Sequence, residues 1–433
     1  MALEEQGLPT VAVHTQQFAR LCKATALSMG MSQLRQAYTP HPVVDRTADH
    51  LRAYIDGSDP LSKRPFMEEV LEGLTAPLEG AELQGQSFER TTPRLLEADT
   101  EDNLHRLFEE NRWTDFLPIM LPTEARVEAM LKGTSHPPDK IVGRLRPTVF
   151  REAWESTVEK VAVNAVMAGA RPEYFPVILA LASSGITARS SSTTSFATIT
   201  VVNGPIRNEI GMSSGIGVMG PYNHANATIG RAYGLLSQNL QGGSVPGETY
   251  MGSQGNWYAY SAAFPEAEER SPWQPFHVQK GFKADESIAS VFFGGWYTHA
   301  GYGPRATWQE KMRHALSAVE QYSPPLFVMD PVVARGFVEL GFDTKEKLID
   351  WCAENARLTA REYWDNQSIQ LLRPKAVAGI EPYASRLKAA PDELIRIYEP
   401  SDINIVVAGG ETQGAWKMIS GALRATSSID AWR

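Results

Sequence analysis

Runs of β-forming residues alternate with helical periodicity along most of this chain, and that alternation restricts it to the α/β class. Residues 9–15 (PTVAVHT) read as a strand. Residues 16–29 follow with Phe18, Leu21, Cys22, Thr25, Ala26 and Met29 on one helical face, and Gly30 is placed to end that helix. A second extended run at 34–40 leads into His41 and Pro42, and a helical stretch broken at 57–60 continues to residue 74. Strand, helix, strand, helix makes a small parallel layer. Residues 2–6 read as the last turn of a helix entering the first strand, too short to stand alone in water.

The alternation returns further on. Strands are expected at 197–202 (ATITVV), 288–293, 325–329 and 404–408, and helices at 123–132, 156–168, 176–183, 225–239, and from 331 and 344. Gly409 and Gly410 form a tight turn, and a helix is expected over 412–422. At 433 residues the chain exceeds what one ordinary core can organise. We therefore expect three parts: a small, incomplete Rossmann-like α/β layer over 1–76, a linker or wrapping arm over 77–121, and a larger mixed α/β domain over 122–433. The arm is polar and irregular, with one helical piece at 101–111.

The bulk character excludes several function classes. A net charge of −9 with interspersed signs, and no basic stripe with interleaved aromatics, argues against nucleic-acid binding. No apolar run approaches the roughly 18 to 20 residues that span a membrane, and residues 1–6 do not resemble a signal peptide. Two distant cysteines give no disulfide framework, so the expected compartment is the cytoplasm. Cys22 and Cys352 both sit on apolar helical faces and read as inert.

Chemistry concentrates in the middle third. Gly215, Gly217 and Gly220 spell G-x-G-x-x-G, but no strand runs directly into them and Pro221 follows, which argues against an NAD(P) site. His224, Asn226 and Thr228 fall at the start of a helix, where backbone N–H groups receive anions, and Arg231 is placed to clamp a carboxylate. The bland alternative is a helix cap by Asn226 with Arg231 in a structural ion pair. His277 and His299, with Glu268 nearby in sequence, suit general acid–base work, and two histidines with a glutamate could hold a divalent metal. Thr193 and Thr194, in the hydroxyl run 190–194, could bind an oxyanion or simply turn the chain. His14 ends the first strand, where α/β sheets place ligands, and His41 follows the second.

The strings LEEQGLPTVAVHTQQF, VEKVAVNAVMAGARPEYFPVILA, GPYNHANATIGRA, GGSVPGE, SPWQPFHV and INIVVAGG resemble the UGSC-type (seleno)protein family, in the same order and over most of the chain. That family carries a U-G-S-C or C-G-S-C motif ahead of the strand that matches residues 7–11 here. The resemblance implies that this chain works without the motif's strand, redox loop and most of the first helix. It also implies cysteine at a position occupied here by Ala170, and an E-N-E-E string where this chain has Glu266, Ala267, Glu268 and Glu269. More distantly, the chain is similar to the selenoprotein subunits of glycine, sarcosine and D-proline reductases, which cleave carbon–nitrogen bonds reductively.

The leading expectation is the large subunit of an enzyme complex that makes or breaks a C–N or C–S bond on a small carboxylated metabolite. A smaller partner chain would supply the redox-motif unit. The alternatives are a self-sufficient lyase or hydrolase using histidine and carboxylate, with or without a metal, a homo-oligomer among them, and a scaffold subunit without chemistry.

Overall fold

The computed structural model describes residues 7–28, 34–43, 46–77, 94–144, 155–189, 195–241, 250, 252, 254–256, 258, 262–319, 321–365 and 371–433. The expected stub at 2–6, the cap at Gly30, and Thr193 and Thr194 lie outside the described residues.

The chain is α/β. Strand β1 (Ala12–Thr15) turns through Gln16–Phe18 into α1 (Ala19–Ser28), and β2 (Gln36–Thr39) returns parallel to β1 with His14 opposite Tyr38 and Thr15 opposite Thr39. Helix α2 (Ala48–Asp56) starts where the Thr47 side chain accepts from the His50 N–H. Helix α3 (Phe66–Thr75) then packs back on β2. It approaches so closely at Gly73 that a Cβ there would stand 2.5 Å from Val11 Cγ2, which is why that helical position carries glycine.

Next come α4 (Glu101–Glu110), α5 (Glu124–Leu131), an antiparallel pair β3 (Ile141–Arg144) and β4 (Glu155–Thr157), α6 (Val158–Met167) and α7 (Phe175–Ser183). The order continues with β5 (Ala197–Asn203), α8 (Ile206–Glu209), α9 (His224–Gln241), β6 (Ala263–Pro265), α10 (Phe276–Gln279) and β7 (Ile288–Tyr302). It closes with α11 (Trp308–Ser317), β8 (Pro325–Met329), α12 (Pro331–Glu339), α13 (Lys345–Asn355), the antiparallel pair β9 (Arg357–Thr359) and β10 (Leu394–Arg396), β11 (Asn404–Val407) and β12 (Ala415–Ser428).

One mixed sheet of order β11-β8-β12-β7-β5-β6 organises the rest. Its two long strands, β7 and β12, shift register between Ile419 and Gly421, where Gly294 adopts φ +157° and Gly295 φ +72°. A Cβ on Gly294 would stand 2.4 Å from the Ser420 carbonyl oxygen, so only glycine admits this approach. The sheet therefore bends across β7 and β12 and folds onto itself. Ile199, Val201, Phe264, Phe292, Leu326, Val328, Val406 and Ile419 fill the space between its halves. Ala267, just past β6, donates its N–H to the Val407 carbonyl at 2.7 Å, so the two edge strands meet. Helices α6, α7 and α9 cover the outer face of one half, and α11, α12 and α13 cover the other.

Where a helix is expected over 412–422, residues 412–414 are a loop and 415–422 are the start of β12. Alanine, methionine and lysine give this stretch a helical bias, but Trp416 and Met418 face one cluster while Ile419 faces the fold-over core. Two-sided burial in a central position overrides propensity, and it also hides the period-2 signal. Similarly, the strand expected over 288–293 runs on to Tyr302 because β12 gives it a partner along its whole length.

Candidate functional site

Two polar constellations stand at the ends of strands. The first gathers where β5 and β6 finish and β11 arrives. Asn203, the last residue of β5, donates from Nδ2 to Glu266 Oε2 at 2.7 Å and to Glu268 Oε1 at 2.9 Å. Glu266 is fully buried; its Oε2 also receives the Phe276 N–H at 2.6 Å, and its Oε1 receives Lys345 Nζ at 2.8 Å and the Val407 N–H at 3.3 Å. Glu268 receives the Gly204 N–H at 2.8 Å and Arg207 Nη2 at 3.0 Å. Arg207 also reaches Glu269, whose carboxyl it holds down at about 2. Glu269 is 60% exposed at its side chain, so solvent screens most of that pair's worth.

His277 is fully buried in α10 with its Nδ1 3.9 Å from Glu268 Oε1, and neither ring nitrogen has a hydrogen-bond partner among the described residues. Ala267 is buried between the two glutamates, its N–H spent on Val407. Every carboxylate oxygen of Glu266 and Glu268 is answered by a fixed donor. This arrangement holds the fold-over closed: Glu266 ties β5, β11, α10 and α13 to one carboxylate. Glu266, Asn203, Arg207 and Lys345 carried no signal of this in sequence, because their partners are far apart along the chain.

His299 lies beyond the bend of β7, in register with Met418, and so faces the outer cluster under α11 to α13. It belongs to a different part of the sheet from His277 and Glu268. His224 opens α9, is exposed, and its ring stands 5.8 Å from that of Tyr174.

Asn226 and Arg231 are engaged by the chain itself. Asn226 is buried; it accepts from the Ser213 N–H at 3.2 Å and donates to the Ser213 carbonyl at 2.9 Å, stapling the glycine-rich loop to α9. Asn223 Oδ1 in turn accepts from the Asn226 N–H. In that loop Gly217 (φ +72°) and Gly220 pack against the Tyr222 ring, rather than joining a strand directly to a helix. Thr228 donates back to the His224 carbonyl at 2.8 Å. Arg231 clamps a carboxylate with two 3.0 Å bonds, and the carboxylate is Asp115. Its Nη2 also donates to the Pro118 carbonyl at 2.8 Å. Gln238 and Asn239, on the same face of α9, donate to the carbonyls of Thr114 and Trp113, so this face holds down residues 112–118.

The second constellation lies at the carboxyl ends of β1 and β2. Thr15 Oγ1 bonds His41 Nδ1 at 3.0 Å, and the His41 ring meets Phe18 edge-on at 5.8 Å. His14 stands 6.4 Å from the Tyr38 ring, and burial lowers its pKa, keeping the imidazole neutral near pH 7. Burial also pushes the nearby Cys22 thiol up to about 11, so it is protonated at neutral pH. Cys352 is fully buried and its thiol is likewise raised.

Residues 1–58 match the model of the UGSC family. The matched segment contains β1, α1, β2 and α2, and with them His14, Thr15, Cys22 and His41. No curated protein and no solved structure matches the chain. Among the described residues, no group of three histidine, cysteine, aspartate or glutamate side chains is placed to hold a metal, and no helix is long and apolar enough to cross a membrane.

Proposed function

We propose that this chain is the large subunit of an enzyme complex that makes or breaks a C–N or C–S bond on a small carboxylated metabolite. A smaller partner chain extends the β1–β2 sheet and brings a thiol or selenol to the ends of those strands. One observation carries this reading. Among the described residues, the sheet of the UGSC-matched segment has two strands, in parallel, and β1 has a single neighbour. Parallel sheets are stable when several strands are covered on both faces, and an open edge is a template for another strand.

The Ala12 N–H bonds the Arg35 carbonyl, so by alternation Val13 and Thr15 turn their N–H and C=O groups outward on the open side. Val13 is also half exposed at its side chain. A strand added there ends beside His14 and His41. The neutral imidazole of His14 suits it to take the proton of an incoming thiol, and Thr15 fixes the ring of His41. The reaction class is taken by analogy from the reductase selenoprotein subunits to which the sequence bears a distant resemblance.

Replacing Val13 by proline removes one outward N–H without touching the β2 ladder. Tagged wild-type chain expressed in its own host is expected to bring down a smaller chain in constant ratio, and Val13→Pro to lose at least ten-fold of it while keeping the same far-ultraviolet spectrum. Equal recovery by both proteins would remove the β1 edge from the account.

A further inference from the structure

Away from both constellations, a cavity of about 710 Å³ opens between α4, α5, α6, the end of α9 and residues 94–99. Packing voids in protein interiors rarely exceed a few water molecules, whereas sites for small organic ligands span roughly 300 to 1,000 Å³. Its floor is apolar: Phe108 and Trp113 meet edge to face at 5.4 Å, with Met167 and Leu240 buried beside them. The outer wall is a strap. Arg94 reaches Glu159 at 2.7 Å and Glu124 at 3.1 Å, pinning residues 94–96 to α6 and α5. Held this way, Leu95 and Leu96 line the cavity while remaining 54% and 44% exposed.

Charge at the rim narrows the occupant. Arg94 is neutralised by its two glutamates, and Lys160 shares the rim with Glu97 and Asp99, so among the described residues the lining offers no net positive charge to an anion. Among the described residues, the other polar side chains on the walls are Thr123, the Trp113 indole and the Asn164–Asn239 amide pair, joined at 2.7 Å. We propose that this cavity is a binding site for an uncharged, largely apolar small molecule of aromatic or branched aliphatic character, held beneath the Arg94 strap. The site stands independently of the partner-chain reading and touches none of its residues.

The test uses N-phenyl-1-naphthylamine, an uncharged probe that fluoresces in apolar surroundings, titrated into the full chain. One probe per chain is expected. Leu96→Trp, on the half-exposed strap and therefore tolerant of substitution, should fill the cavity mouth and weaken binding at least ten-fold, and Val163→Trp on α6 should do the same from the wall. Arg94→Ala should speed probe release several-fold by freeing the strap. The exposed stripe Met67, Leu71 and Leu74 on α3 is the competing surface. No binding by the wild-type chain would overturn the proposal, as would binding that survives both tryptophan variants or is abolished by Leu71→Ser.

Discussion

Replacing Lys345 by methionine is expected to destabilise the protein by about 3–5 kcal/mol, the cost of stranding a buried charge. Lys345 and Glu266 are both fully buried, and their 2.8 Å contact joins α13 to the end of β6. Methionine fills the aliphatic volume but leaves the Glu266 carboxylate without its cation. The Asn203, Phe276 and Val407 donors remain, yet none carries charge. Glu266→Gln in the same background removes the stranded charge, so the double variant should recover a substantial part of the loss. Chemical denaturation followed by circular dichroism and by tryptophan fluorescence checks both arms. If Lys345→Met alone costs under about 1 kcal/mol, the carboxylate is not the lock described above.

Arg231→Ala is expected to free residues 112–118 and to cost about 3 kcal/mol. The Asp115 side chain is 4% exposed, and its partner reaches it from α9 with two bonds. Burial alone would raise the Asp115 pKa, but the Arg231 guanidinium outweighs that and lowers it. The sign of the pH dependence follows. A carboxyl depressed in the folded state contributes stability above its unfolded value, near pH 4, and loses it as the pH falls through the lower folded value. The difference between wild type and Arg231→Ala should therefore be full at pH 7 and shrink below about pH 4. Hydrogen exchange should rise in residues 112–118, and lysine at 231 should restore only part of the protection, because an ammonium cannot make the forked contact. Unchanged exchange there would return Arg231 to the list of groups free to hold a substrate.

Much of the architecture was legible in the sequence, for physical reasons that individual elements make plain. Strands β5, β8 and β11 are short apolar runs bounded by turn residues, α6 is rich in alanine and valine and is followed by Gly169 at φ +78°, and α7 is a continuous apolar helix ended by Ser184. Local pattern suffices for such elements. Strand β12 was not legible, because what makes it a strand is the sheet on both sides of it. The polar networks were hidden for a related reason. Glu266 and Lys345 are 79 residues apart, and Arg231 and Asp115 are 116 apart, so no spacing announces either pair. The run of acids from Glu266 to Glu269 was visible, but its division into a buried lock and an exposed partner for Arg207 depends on the fold.

The same contrast bears on function. His277 and Glu268 looked like an acid–base pair by residue type, and the fold sets them 3.9 Å apart, with Glu268 held in a closed network that His277 does not join by a hydrogen bond among the described residues. His14 and His41 were legible as residues that follow or end two strands, and the fold sets them at the ends of the β1–β2 pair.

Native mass spectrometry of the chain purified from its own host tests the central claim most directly. The account predicts a complex containing this 47.8 kDa chain and a smaller second chain in fixed stoichiometry. A homo-oligomer or monomer with full activity and no second chain would contradict it.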